Sequence, residues 1–416
     1  MFYLGIDFGT SGARVIIIDH LEEIAFHTNC LFPENQRNNL VLTWQHTLRK
    51  LLFDIPINIR QKIVAIAING TSSTVLLCDE QGNPIDSPIL YNDARGNSVL
   101  ETVKKIAPDN HLVCSATSSL AKLFWWYQTP IFKQASYFLH QADWLGFLLH
   151  GKLGISDYHN ALKLGYDVEN LCYPEWLKKA PVFSVLPKVL APSTPVATVK
   201  PDIAKQFNLS DNCLICTGTT DSIAAFLASK INQPGKAVTS LGSTLVLKLL
   251  SQTPINDSAS GIYSHRLGDL WLTGGASNTG GNVLKYFFSN EDLQQLSQQI
   301  NVNHVTDLDY YPLLKPGERF PINDPNLAPK LDPKPDNSVT FLQGLLESMA
   351  KIEALGYQKL QQLGATPLTE VYTAGGGSKN QAWAKIRERY LNVPVKVPLQ
   401  TEAAYGTALL AKNRLS

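Results

Sequence analysis

The sequence has no apolar run near the roughly 20 residues that a membrane-spanning helix needs. Its opening, Met-Phe-Tyr-Leu-Gly-Ile-Asp, places an acid at position 7, where a signal-peptide core would be apolar. The expected location is therefore the cytoplasm, or an organelle lumen after loss of a targeting segment. Excess charge is also missing: 36 basic residues face 35 acidic ones, for a net charge of +1. Such a balance gives no general attraction to nucleic acid or to a membrane surface, so any anion has to be held by local geometry. Two nucleotide signatures are absent as well. Gly235-Lys236 is followed by Ala237 rather than Ser or Thr, which excludes a Walker A loop, and no GxGxxG is present. Six cysteines, at 30, 78, 114, 172, 213 and 216, lack zinc spacing. Cys213 and Cys216 form a CxxC, but they sit in a short apolar run that reads as a strand, where residues three apart point to opposite faces. All six are expected to be core thiols in a reducing compartment.

At 416 residues, with 44% hydrophobic and 17% charged residues, the chain is expected to bury two globular cores. The first stretch predicts a hairpin: Phe2–Ile6, a turn at Asp7-Phe8-Gly9-Thr10-Ser11-Gly12, then Ala13–Asp19. The β-branched run Val15-Ile16-Ile17-Ile18 after the glycines favours a strand over a helix. A helix carrying Trp44, Leu48, Leu51 and Leu52 follows, then a strand pair, Ile63–Asn69 and Thr74–Asp79. Residues 100–190 read as mainly helical. The pattern then restarts: strand Leu214–Thr217, turn Gly218–Asp221, helix Ser222–Ser229, and a strand–turn–strand over Ala237–Leu250 that bends at Leu241-Gly242-Ser243-Thr244. This second Gly-Ser-Thr hairpin parallels the first and suggests a duplicated architecture. Seven prolines over 312–336 predict a surface loop or linker rather than a core element. The chain is expected to finish with strand Glu370–Thr373, glycine turn Gly375–Gly377, helix Asn380–Leu391, strand Val393–Val397 and helix Glu402–Ala411.

Phosphoryl transfer depends on positioning and on neutralising charge spread over phosphate oxygens. A glycine-rich turn bearing Thr and Ser suits it, because backbone N–H groups and hydroxyls can both face the phosphate. Asp7, at a strand end before such a turn, can hold Mg²⁺ directly or through its waters. Taken alone, Asp7-Phe8-Gly9-Thr10 is an ordinary polar turn. The loops at Gly242-Ser243-Thr244 and Ala374-Gly375-Gly376-Gly377-Ser378-Lys379-Asn380 add weight to the phosphate reading. The third of these opens a helix, where it either binds phosphate or packs a strand tightly on that helix. Asp221, directly before a helix, is by position an N-cap. A carboxylate there can equally take the proton from a substrate hydroxyl. Gly70-Thr71-Ser72-Ser73 offers hydroxyls to a sugar or simply makes a turn. Asn92-Asp93-Ala94-Arg95 reads as a polyol site or a surface ion pair. Asp143 and Asp157-Tyr158-His159-Asn160 suit a polyol pocket or buried polar caps, and their roles, like those of Asp93 and Arg95, stay open.

In order and spacing, these segments resemble the FGGY family of carbohydrate kinases, within the actin/hexokinase/Hsp70 superfamily. The matching pieces are Gly5–Arg14, Ile66–Asp79, Tyr91–Arg95, Gly218–Asp221, Leu241–Thr244, Pro316–Pro325, Ala374–Asn380 and Glu402–Thr407. Ser156–Tyr166, Gly218–Ser229 and Gly274–Asn278 look like the short cyanobacterial and plastid xylulokinase-like members that act as D-ribulose kinases.

The resemblance implies an α/β fold of two ribonuclease H-like domains flanking a catalytic cleft. Residues 1–228 would form the sugar side and 229–416 the ATP side, with the last helix, about 402–416, open to packing back on the first domain. It further implies ATP and Mg²⁺ as cofactors. Asp7 and Thr10 would contact the metal and the terminal phosphate, with Thr10, Ser11, Gly12, Ala13 and Arg14 binding ATP. Gly242 and Ser243 would line the second phosphate loop, and Gly376, Gly377 and Asn380 the adenosine site, with Trp383 either a wall of that site or a core residue. Asp7, Ser72 and Asp221 would hold the sugar, with Asp221 as base. The expected reaction is phosphorylation of a free ketopentose, D-ribulose to D-ribulose 5-phosphate. Xylulose or a polyol is the alternative within the same chemistry, and a non-catalytic nucleotide-dependent sugar sensor the alternative outside it. Expected partners are the sugar and ATP alone, with the chain a monomer or weak homo-oligomer.

Overall fold

The computed structural model describes residues 1–33 and 39–412. The chain folds as two compact units, Met1–Ala228 with Glu402–Ser416, and Ser229–Thr401. Residues 413–416 of the expected last helix lie outside the described residues.

In the first unit, the opening segment forms the expected hairpin, β1 (Phe2–Phe8) and β2 (Gly12–Ile18). β3 (Ile24–Leu31) extends it on one side and β4 (Ile63–Gly70) pairs parallel to β1 on the other. A short antiparallel pair, β5 (Val75–Cys78) with β6 (Tyr137–His140), and a parallel pair, β7 (Ile155–Asp157) with β8 (Lys188–Leu190), stand apart from this sheet. β9 (Pro195–Thr198), β10 (Leu214–Cys216) and the two-residue β11 (Thr219–Thr220) complete a seven-stranded sheet of order β3-β2-β1-β4-β10-β9, with β11 on the end of β4.

The unbroken apolar run of β2 has a physical cause: both faces of the sheet are covered. Val15 and Ile17 pack with Leu4, Ile6, Phe8 and Trp44, while Ile16 and Ile18 pack with Ala404, Tyr405 and Ala408 of the helix Ala403–Lys412. That helix lies so close that a Cβ on Gly5 would fall 2.1 Å from the Ala404 carbonyl oxygen. A Cβ on Gly406 would fall 1.8 Å from the carbonyl oxygen of Ala224 in the helix Asp221–Ala228.

Two expectations are corrected in this unit. Residues 100–190 do carry helices, including Ser119–Tyr127 and Gln141–His150, but also strands β6, β7 and β8. Phe138 and Leu139 of β6 are both buried, so the strand shows no alternation by which sequence could separate it from a helix. The cysteines are not uniformly core thiols. Cys78, Cys213 and Cys216 are buried, Cys30 and Cys114 half-buried, and Cys172 exposed. Burial pushes the Cys213 thiol up to about 12, the behaviour of an inert core thiol.

The second unit repeats the plan. β12 (Lys236–Leu241) and β13 (Leu245–Ser251) form the hairpin, with β14 (Tyr263–Leu267), β15 (Leu270–Ser277), β16 (Glu370–Ala374) and β17 (Val395–Lys396) around it in the order β14-β15-β13-β12-β16-β17. As β4 does for β1, β16 runs parallel to β12. The 25-residue helix Ser338–Gln362 supplies much of the core. The proline-rich stretch contributes to that core, against expectation. Phe320 is fully buried there, in a slot where a Cβ on Gly275 would come within 2.3 Å of its ring and one on Gly356 within 2.6 Å. Prolines mark the loop, but one aromatic side chain anchors it.

Candidate active site

The register of three strands sets the centre of the first unit. Asp7 on β1 is opposite Arg14 on β2 and beside Asn69 on β4. Asn69 in turn pairs with Thr219 of β11, two residues before Asp221. Strand ends thus bring residues 7, 69 and 221 together from distant parts of the chain. Burial raises the Asp7 carboxyl to about 6, and the Asp221 charge pushes the same way. Arg14 and a hydrogen bond from Asn69 act in the opposite direction. Asn69 donates through Nδ2 to Thr407 Oγ1 at 2.6 Å, and Arg14 pairs with Glu402 at 2.9 Å. Asp221 opens its helix and accepts from the Ser222 amide at 2.7 Å.

The turn between β1 and β2 is closed by Gly9 N–H donating to Gly12 O at 3.0 Å, leaving Thr10 and Ser11 exposed at its tip. Three residues assigned to the same loop behave differently. Gly12 makes room for β3, since a Cβ there would lie 2.6 Å from the Cys30 carbonyl oxygen. Ala13 points into the core, and Arg14 is engaged with Glu402.

Beside this centre lies the turn after β4. Thr71 is held by Gln141 Oε1, which accepts from its amide at 3.0 Å, and its hydroxyl lies 2.5 Å from that of Thr74. Ser72 is half-buried. Ser73 adopts a left-handed backbone, φ 63°. The Asn69 Oδ1 and Thr220 Oγ1 atoms, on the neighbouring ends of β4 and β11, and Ser73 Oγ in the turn after β4 are buried with no protein partner. Arg95 grips Asp93 through Nε and Nη2 and stacks 4.6 Å from the Trp125 ring, so the ion-pair reading of that segment holds. Asp143 completes a capping box with His140. Asp157 caps the turn Tyr158–Ala161 and binds Asn160 Nδ2 at 2.6 Å. Burial, with Asp143 nearby, pushes the Asp157 carboxyl upward. His159 Nδ1 meets Thr219 Oγ1 at 2.7 Å.

In the second unit, the β12–β13 turn is tied down from one side. Gly281 and Asn282 amides donate to the Gly242 and Ser243 carbonyls at 2.9 and 3.1 Å, while Ser243 stays exposed. The glycine loop after β16 begins at Gly375, φ 82°, where a Cβ would meet the Leu241 carbonyl at 2.8 Å. Nothing lies within 4 Å of a Cβ on Gly376, whereas Gly377 packs on Leu241 and Trp383. Asn380 caps the helix Gln381–Leu391 through the Trp383 amide and donates to Ser297 Oγ at 2.8 Å. Trp383 itself is a core residue, 2% exposed.

Sequence reasoning missed Asn69 and Thr407. The only available signal was one polar residue closing the run Ile-Val-Ala-Ile-Ala-Ile. Among the described residues, no group of three or more His, Cys, Asp or Glu side chains forms a metal cage. Asp7 with a charged neighbour suits instead a hard cation that keeps most of its waters, the mode of Mg²⁺ beside phosphate.

An α/β fold of two similar units, each headed by a hydroxyl-bearing hairpin, is that of the actin- and hexokinase-like kinases. Comparison with known proteins places the chain further. Its residues 2–228 match the N-terminal domain, and 237–412 the C-terminal domain, of the FGGY family of carbohydrate kinases. The chain belongs to that family, whose members use ATP and Mg²⁺. It is 22% identical to a xylulose kinase of Staphylococcus xylosus over 440 residues, covering 99% of this chain and 90% of the relative. With a Haemophilus influenzae xylulose kinase it is 25% identical over 457 residues, at 98% and 90% coverage. Among solved structures, a xylulose kinase from Brucella ovis superposes with TM-score 0.88 at 22% identity, covering 99% and 90% of the two chains. Plasmodium falciparum glycerol kinase with ADP gives 0.85 at 18% identity, covering 100% and 90%.

Proposed function

We propose that the chain transfers the γ-phosphoryl group of ATP to the terminal hydroxyl of a free ketopentose, with D-ribulose as the acceptor and D-ribulose 5-phosphate and ADP as products. The observation that carries this reading is the meeting of Asp7, Asn69 and Asp221 at adjacent strand ends, beside three buried polar atoms that have no protein partner. Such atoms suit a hydroxyl-rich ligand, which can satisfy several of them at once.

In this reading Asp221 takes the proton of the attacking hydroxyl as the new O–P bond forms and the bond to the ADP oxygen breaks. Ser72 orients the sugar. Thr10 and Ser11 in the first unit, and Gly242 and Ser243 in the second, serve the ATP phosphates, while Gly376, Gly377 and Asn380 serve its adenosine. Asp7 holds the hydrated Mg²⁺, which when bound supplies neutralising charge to the phosphate oxygens. Gly12, Ala13 and Arg14 complete the ATP-binding loop, Gly12 and Ala13 through their backbone amides. Xylulose as the acceptor has support of its own in the names of the sequence relatives. The test is ADP release with Mg-ATP against ketopentoses and polyols, in the parent and in Asp221→Ala. Sugar-stimulated release in the parent, lost in the variant with ATP binding intact, is the expected result. Near-normal turnover in the variant would remove Asp221 from the base role.

A further inference from the structure

Lys122, in the first turn of the helix Ser119–Tyr127, is fully buried. Its Nζ donates to the carbonyl oxygens of Ser73 and Leu90, each at 2.7 Å, and of Tyr91 at 3.4 Å. Among the described residues no carboxylate lies within ion-pair distance of it. Asp93 acts on it from further away, against the opposing charges of Lys163 and Arg95, and burial pushes its amine down to about 7. A buried ammonium without a paired carboxylate is an expensive choice, and an apolar side chain would fill the same volume at lower cost.

The three acceptors explain what the amine achieves. They come from two separate segments, the turn after β4 and the loop 90–95; the Leu90 carbonyl also accepts from the Asp93 amide at 3.1 Å, so what an apolar residue would strand is the buried Ser73 carbonyl. The segments are otherwise joined by the bridge between Val75 and Ile89 and by Tyr91 N–H donating to Thr74 Oγ1 at 3.1 Å. Neither of those contacts holds Ser73, whose left-handed backbone sets the direction of Ser72 before it. Lys122 grips the Ser73 carbonyl directly.

We infer that Lys122 is a positioning residue for the acceptor sugar: by tying the Ser73, Leu90 and Tyr91 carbonyls to one amine, it fixes the Ser72 hydroxyl against the loop that carries Asn92. The inference rests on the sugar-kinase reading above and adds to it the element that holds the acceptor side. It acts on sugar binding and leaves ATP untouched.

The test is steady-state kinetics of the full chain with Lys122→Met and Lys122→Gln, using the sugar that best stimulates the parent. In Lys122→Met the sugar KM rises about tenfold or more, while kcat and the ATP KM stay within roughly threefold; Lys122→Gln, which keeps two donors, recovers part of the loss. An unchanged sugar KM overturns the assignment, as does an equal rise in both KM values, which marks general damage. Failure of both variants to fold makes Lys122 a folding residue and overturns it too. Amide exchange separates this claim from the functional one, because it needs no turnover. In the variants the amides of Thr71–Thr74 and Leu90–Asn92 exchange about tenfold faster, with those of Ala237–Leu250 unchanged. Unchanged exchange in the two loops refutes the tie even if no sugar is ever phosphorylated. A parent that no sugar stimulates, with faster loop exchange in the variants, refutes the kinase reading alone.

Discussion

Asn69 donates to Thr407 Oγ1 across 2.6 Å, joining the strand beside Asp7 to a helix 338 residues later in the chain. The Thr407 hydroxyl also donates to the Ala403 carbonyl at 2.9 Å, so its donor and one acceptor position are both used. Asn69 in turn is the strand partner of Asp7. The helix Ala403–Lys412 is therefore tied by one side-chain hydrogen bond to the strand residue beside Asp7.

Thr407→Val keeps the shape of the side chain and removes the acceptor. Asn69 already has one buried oxygen without a protein partner, and the variant strands its amide as well. We expect a loss of roughly 1–3 kcal/mol, read as a lower Tm, together with reduced turnover. The double variant with Asn69→Leu should cost less than the sum of the two singles, because the pair shares one interaction. Strict additivity in thermal unfolding would contradict the linkage.

Asp7→Asn should stabilise the ligand-free protein while abolishing phosphoryl transfer. The Asp7 carboxyl titrates at about 6 when folded, against an ordinary 3.8. A raised carboxyl pKa means that the ionised group costs stability above pH 6. That cost fades as the pH falls from 6 towards 3.8 and vanishes below it. The variant's gain, on the order of 2–3 kcal/mol, is thus largest near pH 8 and close to nil near pH 4. Melting curves without nucleotide or Mg²⁺ at the two pH values check it, and an equal gain at both would contradict the assignment.

In the second unit, Arg387 and Glu353 form a buried ion pair, with Nε–Oε2 at 2.6 Å and Nη2–Oε1 at 2.7 Å. Arg387 also donates to Thr373 Oγ1 on β16 at 2.6 Å. Arg387→Leu leaves the Glu353 charge buried and unpaired, a loss of about 3–5 kcal/mol. The loss should persist in high salt, because solvent ions do not screen a buried pair. Recovery of stability by added salt would place the pair at the surface.

Much of this architecture was legible because local chemistry and global fold agree. The two Gly-Thr/Ser hairpins, their β-branched flanks and the glycine loop at Gly375 carry their signals within a few residues. Other features depend on contacts that no local pattern encodes. Phe320 hides in a proline-rich stretch because its slot is made by Gly275 and Gly356, remote in sequence. Lys122 reads as one lysine on an aromatic helix, since its acceptors are backbone carbonyls and carry no side-chain signature. Gly12 and Ala13 read as phosphate-loop residues by position, and their packing against β3 and the core carries no local sequence signal. Asn69 and Thr407 form their bond only after the last helix returns to the first sheet.

We propose Asp221 as the base that drives phosphate transfer from ATP to a ketopentose. The most direct test is ADP release with Mg-ATP across D-ribulose, D-xylulose, other ketoses and glycerol, in parent and Asp221→Ala. D-ribulose should stimulate release most strongly, and the variant should lose about 10²–10⁴ of that rate while still binding ATP. A parent that no sugar or polyol stimulates, or a variant that keeps its sugar-dependent rate, would contradict it.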